Sequence, residues 1–216
     1  IKMNTCNYVG IFGASGMARE AGDIAQALDI KPVYVVKDGD ELPYFIRKEE
    51  VIAESDVLSY AEIPYVIGIA DGSIRYSVAR RFENSLEFTN LIHPSVTFGY
   101  RQRQLVDAVE GTIIAAGVRF TSGILLGNFS IFNQNATIAH DCDLGNFVHV
   151  APGANISGNV RLKDFSWVGA GAVINQGSNL KKLEVGEHTI IGSGATVVRD
   201  CEANAVYVGV PARRIK

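Results

Sequence analysis

Two rhythms of apolar residues divide this chain. In the first part, short apolar runs alternate with amphipathic stretches: Tyr8 to Phe12 (YVGIF), Val33 to Val36, Tyr65 to Ala70 and Phe88 to Ile92 read as strands, and Met17 to Leu28 and Ser73 to Glu83 as helices. Gly13 to Gly16 (GASG) turns the first strand into the first helix, Lys37 to Gly39 closes the second strand, and Asp71 and Gly72 open the second helix. Strand, helix and strand within about 30 residues make a βαβ unit. Residues 3–92 are therefore expected to form a small α/β, Rossmann-like domain with a parallel sheet.

The second rhythm has a period of six. Ile114, Phe120, Leu126, Phe132, Ile138, Leu144, Val150, Ile156, Leu162, Val168 and Ile174 are all apolar, and the position after each is usually small, as at Ala115, Gly127, Ala139, Gly145 and Gly169. The register slips across Gln176 to Leu183 and resumes at Val185, Ile191 and Val197. Six fits neither a helix nor simple alternation across a sheet. It fits a parallel β-helix in which three hexads close one triangular coil, the large aliphatic points inward and the small residues turn the corners. Residues 93–216 are assigned to this prism, with the segment around Lys181 and Lys182 projecting as a loop. Its flat faces and open ends leave surfaces for the first domain and for other subunits, and a homotrimer is the expected assembly.

Composition narrows the setting. Of 216 residues, 47% are hydrophobic and 20% charged, which describes a folded chain. A net charge of -3 and a pI of about 5.8 give no global attraction to nucleic acid or to a membrane surface, so any anion site is local. Cys6, Cys142 and Cys201 are odd in number and unpaired in spacing, against a disulfide framework or a zinc ribbon. With no bilayer-length apolar run and no secretory signal pattern, a reducing, cytoplasmic location is expected.

Candidate chemistry sits at the ends of the first strands and inside the hexads. Beyond a strand, glycine lets backbone N–H groups approach a phosphate and the following helix start favours an anion, which makes Gly13, Ser15 and Gly16 phosphate candidates. A tight turn that needs glycine explains them as well. Asp38 follows the second strand where an acid can accept from a ribose, or can simply cap a loop. In the run NATIAHDCDLGNFVHVAPGANISGNVRL, from Asn135 to Leu162, His140 comes two positions after inward Ile138 and His149 one before inward Val150. Neither replaces a core residue. The adjacent Asp141 can orient the His140 imidazole, which is suited to take a proton from an attacking amine or hydroxyl. Cys142 falls on a small corner position, where packing explains it better than nucleophilic chemistry.

GASG, the junction LIHPSV from Leu91 to Val96, the run ATIAHDCDLGNFVHVAPGANISGNV and the closing VYVGVPARRIK together resemble the left-handed β-helix acyltransferases. Within them the chain looks like the bacterial sugar acetyltransferase group typified by PglD and NeuD, PglD above all. The resemblance implies acetyl-CoA as co-substrate, no metal, and transfer to the 4-amino group of a UDP-linked 4-amino-4,6-dideoxy sugar in bacterial glycan or glycoprotein biosynthesis. It implies that His140 is the general base, Asp141 its supporting acid, His149 a second active-site histidine near the acetyl donor, and the Gly158 N–H a donor to the oxyanion. Asn133 matches a polar position of the acceptor pocket, although an asparagine ladder explains it equally. Arg75, in DGSIRYSVA, matches a position of the nucleotide pocket. For acetyl-CoA the resemblance implies Gly158, Ala170, Ser193 and Gly194 along the pantetheine arm, with Arg199, Arg213 and Arg214 as phosphate candidates. After GASG this chain has Met17 and Ala18 where relatives commonly have histidine and glycine. Alternatives are a sialic-acid-type sugar O-acetyltransferase, a non-catalytic scaffold, and a zinc enzyme of the γ-carbonic anhydrase type. The last needs three converging histidines, whereas His140 and His149 are nine apart and His188 falls in a later coil.

Overall fold

The computed structural model describes residues 7–39 and 46–216; Cys6 lies outside the described residues. β1 (Tyr8–Phe12), β2 (Lys31–Val36), β3 (Val51–Ala53) and β4 (Tyr65–Ile67) form a parallel sheet in the order β3-β2-β1-β4. β1 leaves through Gly13, whose φ of 102° is a conformation that favours glycine, and the Gly13 N–H donates to the Val35 carbonyl at 2.8 Å. α1 (Gly16–Ala27) then buries Met17, Ala18, Ala21, Ile24 and Ala25, a stripe at helical spacing. α2 (Gly72–Phe82) is capped by Asp71, whose carboxylate accepts from the Ile74 N–H at 3.0 Å. The expected strand from Phe88 to Ile92 divides: Phe88 makes an isolated parallel bridge to Tyr65, while Leu91 and Ile92 pair with Ile113 and Ile114 in the prism.

The prism has three faces of eight, six and four strands, all parallel except the eighth strand of the first face, Arg213–Arg214, which pairs antiparallel at its edge. On the first face Phe132 pairs with Ile114 before it and Val150 after it, each three hexads away, so one coil is three hexads. The inward residues of the period from Ile114 to Ile174 are buried, with Leu126 partly so, and Val185, Ile191 and Val197 continue the core beyond the slip. Many of the corners turn through left-handed residues; Asn135, Asp141, Phe147, Asn159 and Phe165 have φ between 57° and 60°. The insertion runs between the strands Val173–Ile174 and Leu183–Val185, its tip Leu180 fully exposed. Lys181 to Asp200 and Lys182 to Asp143, both 2.5 Å, anchor its base.

β3 and the short 3-10 helices beside it have no counterpart in the hydrophobic pattern, and neither has a helix within the prism. α3 (Gln102–Asp107) lies beside the first strand of the third face, and the buried Gln102 side chain gives and accepts the backbone bonds of Ile124 at 2.8 and 2.9 Å, as a neighbouring strand would. The two halves share a core. Phe129, Phe147, Phe165 and His188 stack along one corner, and Phe88 and Tyr76 meet that ladder edge-on from the N-terminal side. Phenylalanine in a left-handed corner is costly; the stacking offsets that cost. No helix among the described residues is long and apolar enough to cross a membrane.

Candidate active site

His140 stands on the corner between the second and third faces, just after the strand Thr137–Ile138. Its Nδ1 is 2.8 Å from Asp141 Oδ2, and both side chains are more than half exposed. A carboxylate accepts, so the hydrogen lies on Nδ1, and in the neutral ring it is Nε2 that carries the lone pair. The ring rests on Gly158, one coil later: a Cβ there would come within 2.6 Å of Cε1 and Nε2. Asp141 is seated in the same way over Gly123, where a Cβ would be 2.9 Å from Oδ1. The His140 carbonyl accepts from the Asn159 N–H at 2.9 Å, which fixes the backbone beneath the imidazole. The structure thus brings His140, Asp141 and Gly158 together, with a proton acceptor facing solvent. Cys142, two residues on, points inward; burial raises its thiol to about 11, and Sγ lies 3.2 Å from the Ser157 carbonyl. It is no nucleophile in this position.

A second group lies on the first face. His149 is only 3% exposed and stacks on Trp167 with ring centroids 3.9 Å apart and planes 2° apart. Asn133 Nδ2 donates to its Nε2 at 3.3 Å, which leaves the hydrogen on Nδ1. Burial first, then the nearby Arg75 charge, lowers His149 to about 3, so the ring is neutral; the Ala70 carbonyl works the other way. His149 Nδ1 and Asn133 Oδ1 are buried without hydrogen bonds of normal geometry among the described residues. One donor and one acceptor stand side by side.

Arg75 requires a correction. Expected in the nucleotide pocket, it is fully buried and its guanidinium donates to five backbone carbonyls, those of Phe129, Ile69, Ala70, Phe147 and Val148, at 2.6 to 3.1 Å. No donor remains for a phosphate. The side chain instead ties α2 and the loop after β4 to the prism, and desolvation lowers it to about 9.

Gly13 and Ser15 line a cavity of about 640 Å³ with Val35, Val36, Ile74 and Arg81 among its walls. Ser15 is the N-cap of α1 but its hydroxyl makes no capping bond, the first turn carries no acid, and a Cβ at Gly16 would meet open space. Asp38 is exposed nearby and accepts from the Ser55 hydroxyl at 2.8 Å. Met17 is buried and faces the core. Ala170, Ser193 and Gly194 occupy the corner between the first and second faces, where Gly194 donates to the Ala170 carbonyl at 2.9 Å. Arg199, Arg213 and Arg214 are exposed near the C-terminal end, and Arg214 already pairs with Glu202.

The hexad pattern alone does not single out Trp167, although it lies in register with His149, three hexads on; Glu54 and Arg81 at the cavity carry no signal in the sequence. Among the described residues no group of three or more His, Cys, Asp or Glu side chains could hold a metal ion.

A solvent-facing base with no nucleophile beside it suits a transferase that moves an acyl group directly between two bound substrates. No protein-family model matches the chain. It is 31% identical over 219 residues to GDP-perosamine N-acetyltransferase of Escherichia coli O157:H7, covering 97% of both proteins. The structure of PerB from Caulobacter crescentus in complex with CoA and GDP-perosamine superposes with a TM-score of 0.83 at 25% identity, over 98% of each chain. The acetyltransferase domain of PglB from Neisseria gonorrhoeae FA1090 in complex with acetyl coenzyme A gives 0.82 at 25%, over 97% of this chain and 99% of that one. The chain belongs to the left-handed β-helix sugar acetyltransferases of the PglD-type group. It is an acetyl-CoA-dependent sugar N-acetyltransferase.

Proposed function

We propose that the chain acetylates the 4-amino group of a nucleoside-diphosphate-linked 4-amino-4,6-dideoxy sugar, by direct transfer, for bacterial glycan or glycoprotein biosynthesis. The observation that carries the mechanism is the His140 and Asp141 pair seated over Gly158. The amine nitrogen attacks the thioester carbonyl while His140 Nε2 takes its proton, Asp141 steadies the imidazolium, and the Gly158 N–H donates to the oxyanion. As the tetrahedral intermediate collapses, the C–S bond breaks and the amide remains. The thiolate of coenzyme A leaves and regains a proton.

Asn133 and His149 lie on a different face of the prism from His140, beside the loop that ends at Ala70 and Asp71. A site that uses both groups draws them from two copies, which supports a homotrimer. In this reading residues 3–92 form the Rossmann-like unit that holds the nucleotide through Gly13, Ser15, Gly16 and Asp38. Residues 93–216 hold acetyl-CoA along the second face, past Gly158, Ala170, Ser193 and Gly194, with Arg199, Arg213 and Arg214 near its phosphates. The sequence resemblance points to uridine, whereas the Escherichia coli relative carries GDP-perosamine in its name.

Thiol release from acetyl-CoA, measured with UDP- and GDP-linked 4-amino-4,6-dideoxy sugars and with free sialic acid, tests the proposal. Release with either nucleotide sugar that collapses in His140→Ala is the expected result. Release with sialic acid alone would replace it with an O-acetyltransferase reading.

A further inference from the structure

The cavity that begins at the glycine turn ends at an ion pair. Arg81 Nη1 bonds Glu54 Oε1, with the Glu54 side chain 18% exposed and the Arg81 side chain 48%. Glu54 opens the 3-10 helix that follows β3, and the next residue, Ser55, reaches back to Asp38 after β2. Arg81 occupies the last turn of α2, on the stripe Ile74, Ser77, Val78 and Arg81 that walls the cavity. α2 starts against the prism: a Cβ at Gly72 would be 2.7 Å from the Phe147 carbonyl oxygen. Arg81 is nine residues further on, about 13 Å along the helix axis at a rise of about 1.5 Å per residue. The cavity therefore has an order. Across the sheet, Ile69 after β4 marks one end, beside the loop to Ala70, the glycine turn after β1 lies next, and the carboxylate of Glu54 after the edge strand β3 lies at the far end.

Resting on the proposed function, that order puts the sugar at the prism, the pyrophosphate at Gly13 to Ser15, and the base at Glu54. We propose that Glu54, held by Arg81, reads the base and selects guanine over uracil. A carboxylate only accepts hydrogen bonds, and one Glu54 oxygen is already bound to the guanidinium. Guanine presents two neighbouring donors, N1–H and the exocyclic N2–H, which suit an ionised carboxylate. Uracil presents one N–H between two carbonyl oxygens, so a carboxylate facing it gains one bond and meets two repelling dipoles. Val35, Val36, Ile74 and Val78 give the ring apolar walls. A site that hydrogen-bonds a substrate group disfavours an analogue that lacks the partner, and Glu54 is only partly exposed at the cavity wall.

Calorimetric titration of the full-length protein with GDP, inosine 5′-diphosphate and UDP tests this. Inosine lacks only the exocyclic amine. The wild type is expected to bind GDP at least about tenfold more tightly than either competitor, as a lost hydrogen bond to a charged group implies. In Glu54→Gln the preference of GDP over inosine diphosphate collapses toward unity while UDP, relieved of the repulsion, binds no more weakly than to the wild type. Arg81→Met, which releases the carboxylate, narrows the same ratio, and unchanged acetyl-CoA binding shows that both variants are folded. Equal binding of GDP and UDP by the wild type, or an undiminished GDP to inosine diphosphate ratio in Glu54→Gln, overturns the base assignment and leaves acetyl transfer untouched. Failure of every nucleotide to bind overturns the nucleotide pocket as well.

Discussion

The imidazole of His140 rests on the backbone of Gly158, so closely that a single added carbon would stand 2.6 Å from two of its ring atoms. Gly158→Ala must therefore displace the ring. His140 is exposed on its outer side and can swing into solvent, so the fold should lose less than about 1 kcal/mol, while kcat should fall about a hundredfold, the range of a lost general base. Steady-state rates beside a melting curve check this. An unchanged rate would mean that this pose of His140 is not the working one.

Asp141 accepts from Nδ1 and so assigns the lone pair to Nε2. Asp141→Asn keeps the shape but removes the charge that, in the proposed mechanism, steadies the imidazolium. A drop in kcat of about tenfold or more, with KM for acetyl-CoA little changed, is the expected outcome of steady-state kinetics. A shift confined to KM would move Asp141 to substrate binding.

If each site joins His140 of one copy to Asn133 and His149 of another, two inactive variants should rescue each other. His140→Ala and Asn133→Ala, mixed as unfolded chains and refolded together in equal amounts, should regain about a quarter of the wild-type activity, because about one interface in four then holds both intact halves. Refolded mixtures as inactive as the separate variants would place the whole site within one chain.

His149 gives the fold an acid limit. Above about pH 6.5 its ring is neutral in the folded and the unfolded chain alike and adds no pH dependence. Below that, the unfolded chain takes up a proton that the folded chain refuses until about pH 3, so stability declines as pH falls between those values, by at most ~1.4 kcal/mol per pH unit. Denaturant midpoints of wild type and His149→Gln, followed from pH 7.5 to about 4, should show a shallower decline in the variant. Parallel curves would mean that the ring takes up its proton in the folded state.

Cys142 is buried at a coil corner with its thiol pushed up to about 11. Cys142→Ala should keep kcat within about threefold and lose roughly 1 kcal/mol of stability, as a small cavity does. Loss of activity without loss of fold, together with an acetylated thiol found by mass spectrometry of the wild type, would argue for a covalent intermediate instead.

Much of this was legible along the chain. The inward residues of the hexads, the slip at Gln176 to Leu183 and the adjacency of His140 and Asp141 each depend on spacing alone, and each falls where spacing puts it. Less was legible wherever one part of the chain substitutes for another. Gln102 performs with an amide what a strand would perform with its backbone, and Leu91 and Ile92 look like any apolar strand until the partner is known.

By itself, then, the sequence determined the coil: a period of six repeats the same local demand at every turn, and burial of one aliphatic per hexad satisfies it without reference to distant residues. Only the tertiary structure decided the fate of the polar groups. Arg75 became a clamp because five carbonyls from separate segments converge on it, and His149 became neutral because α2 and the preceding loop close over that face. Desolvation and hydrogen-bond partners are set by what covers a residue, and three of the five carbonyls on Arg75 come from segments more than fifty residues away in sequence.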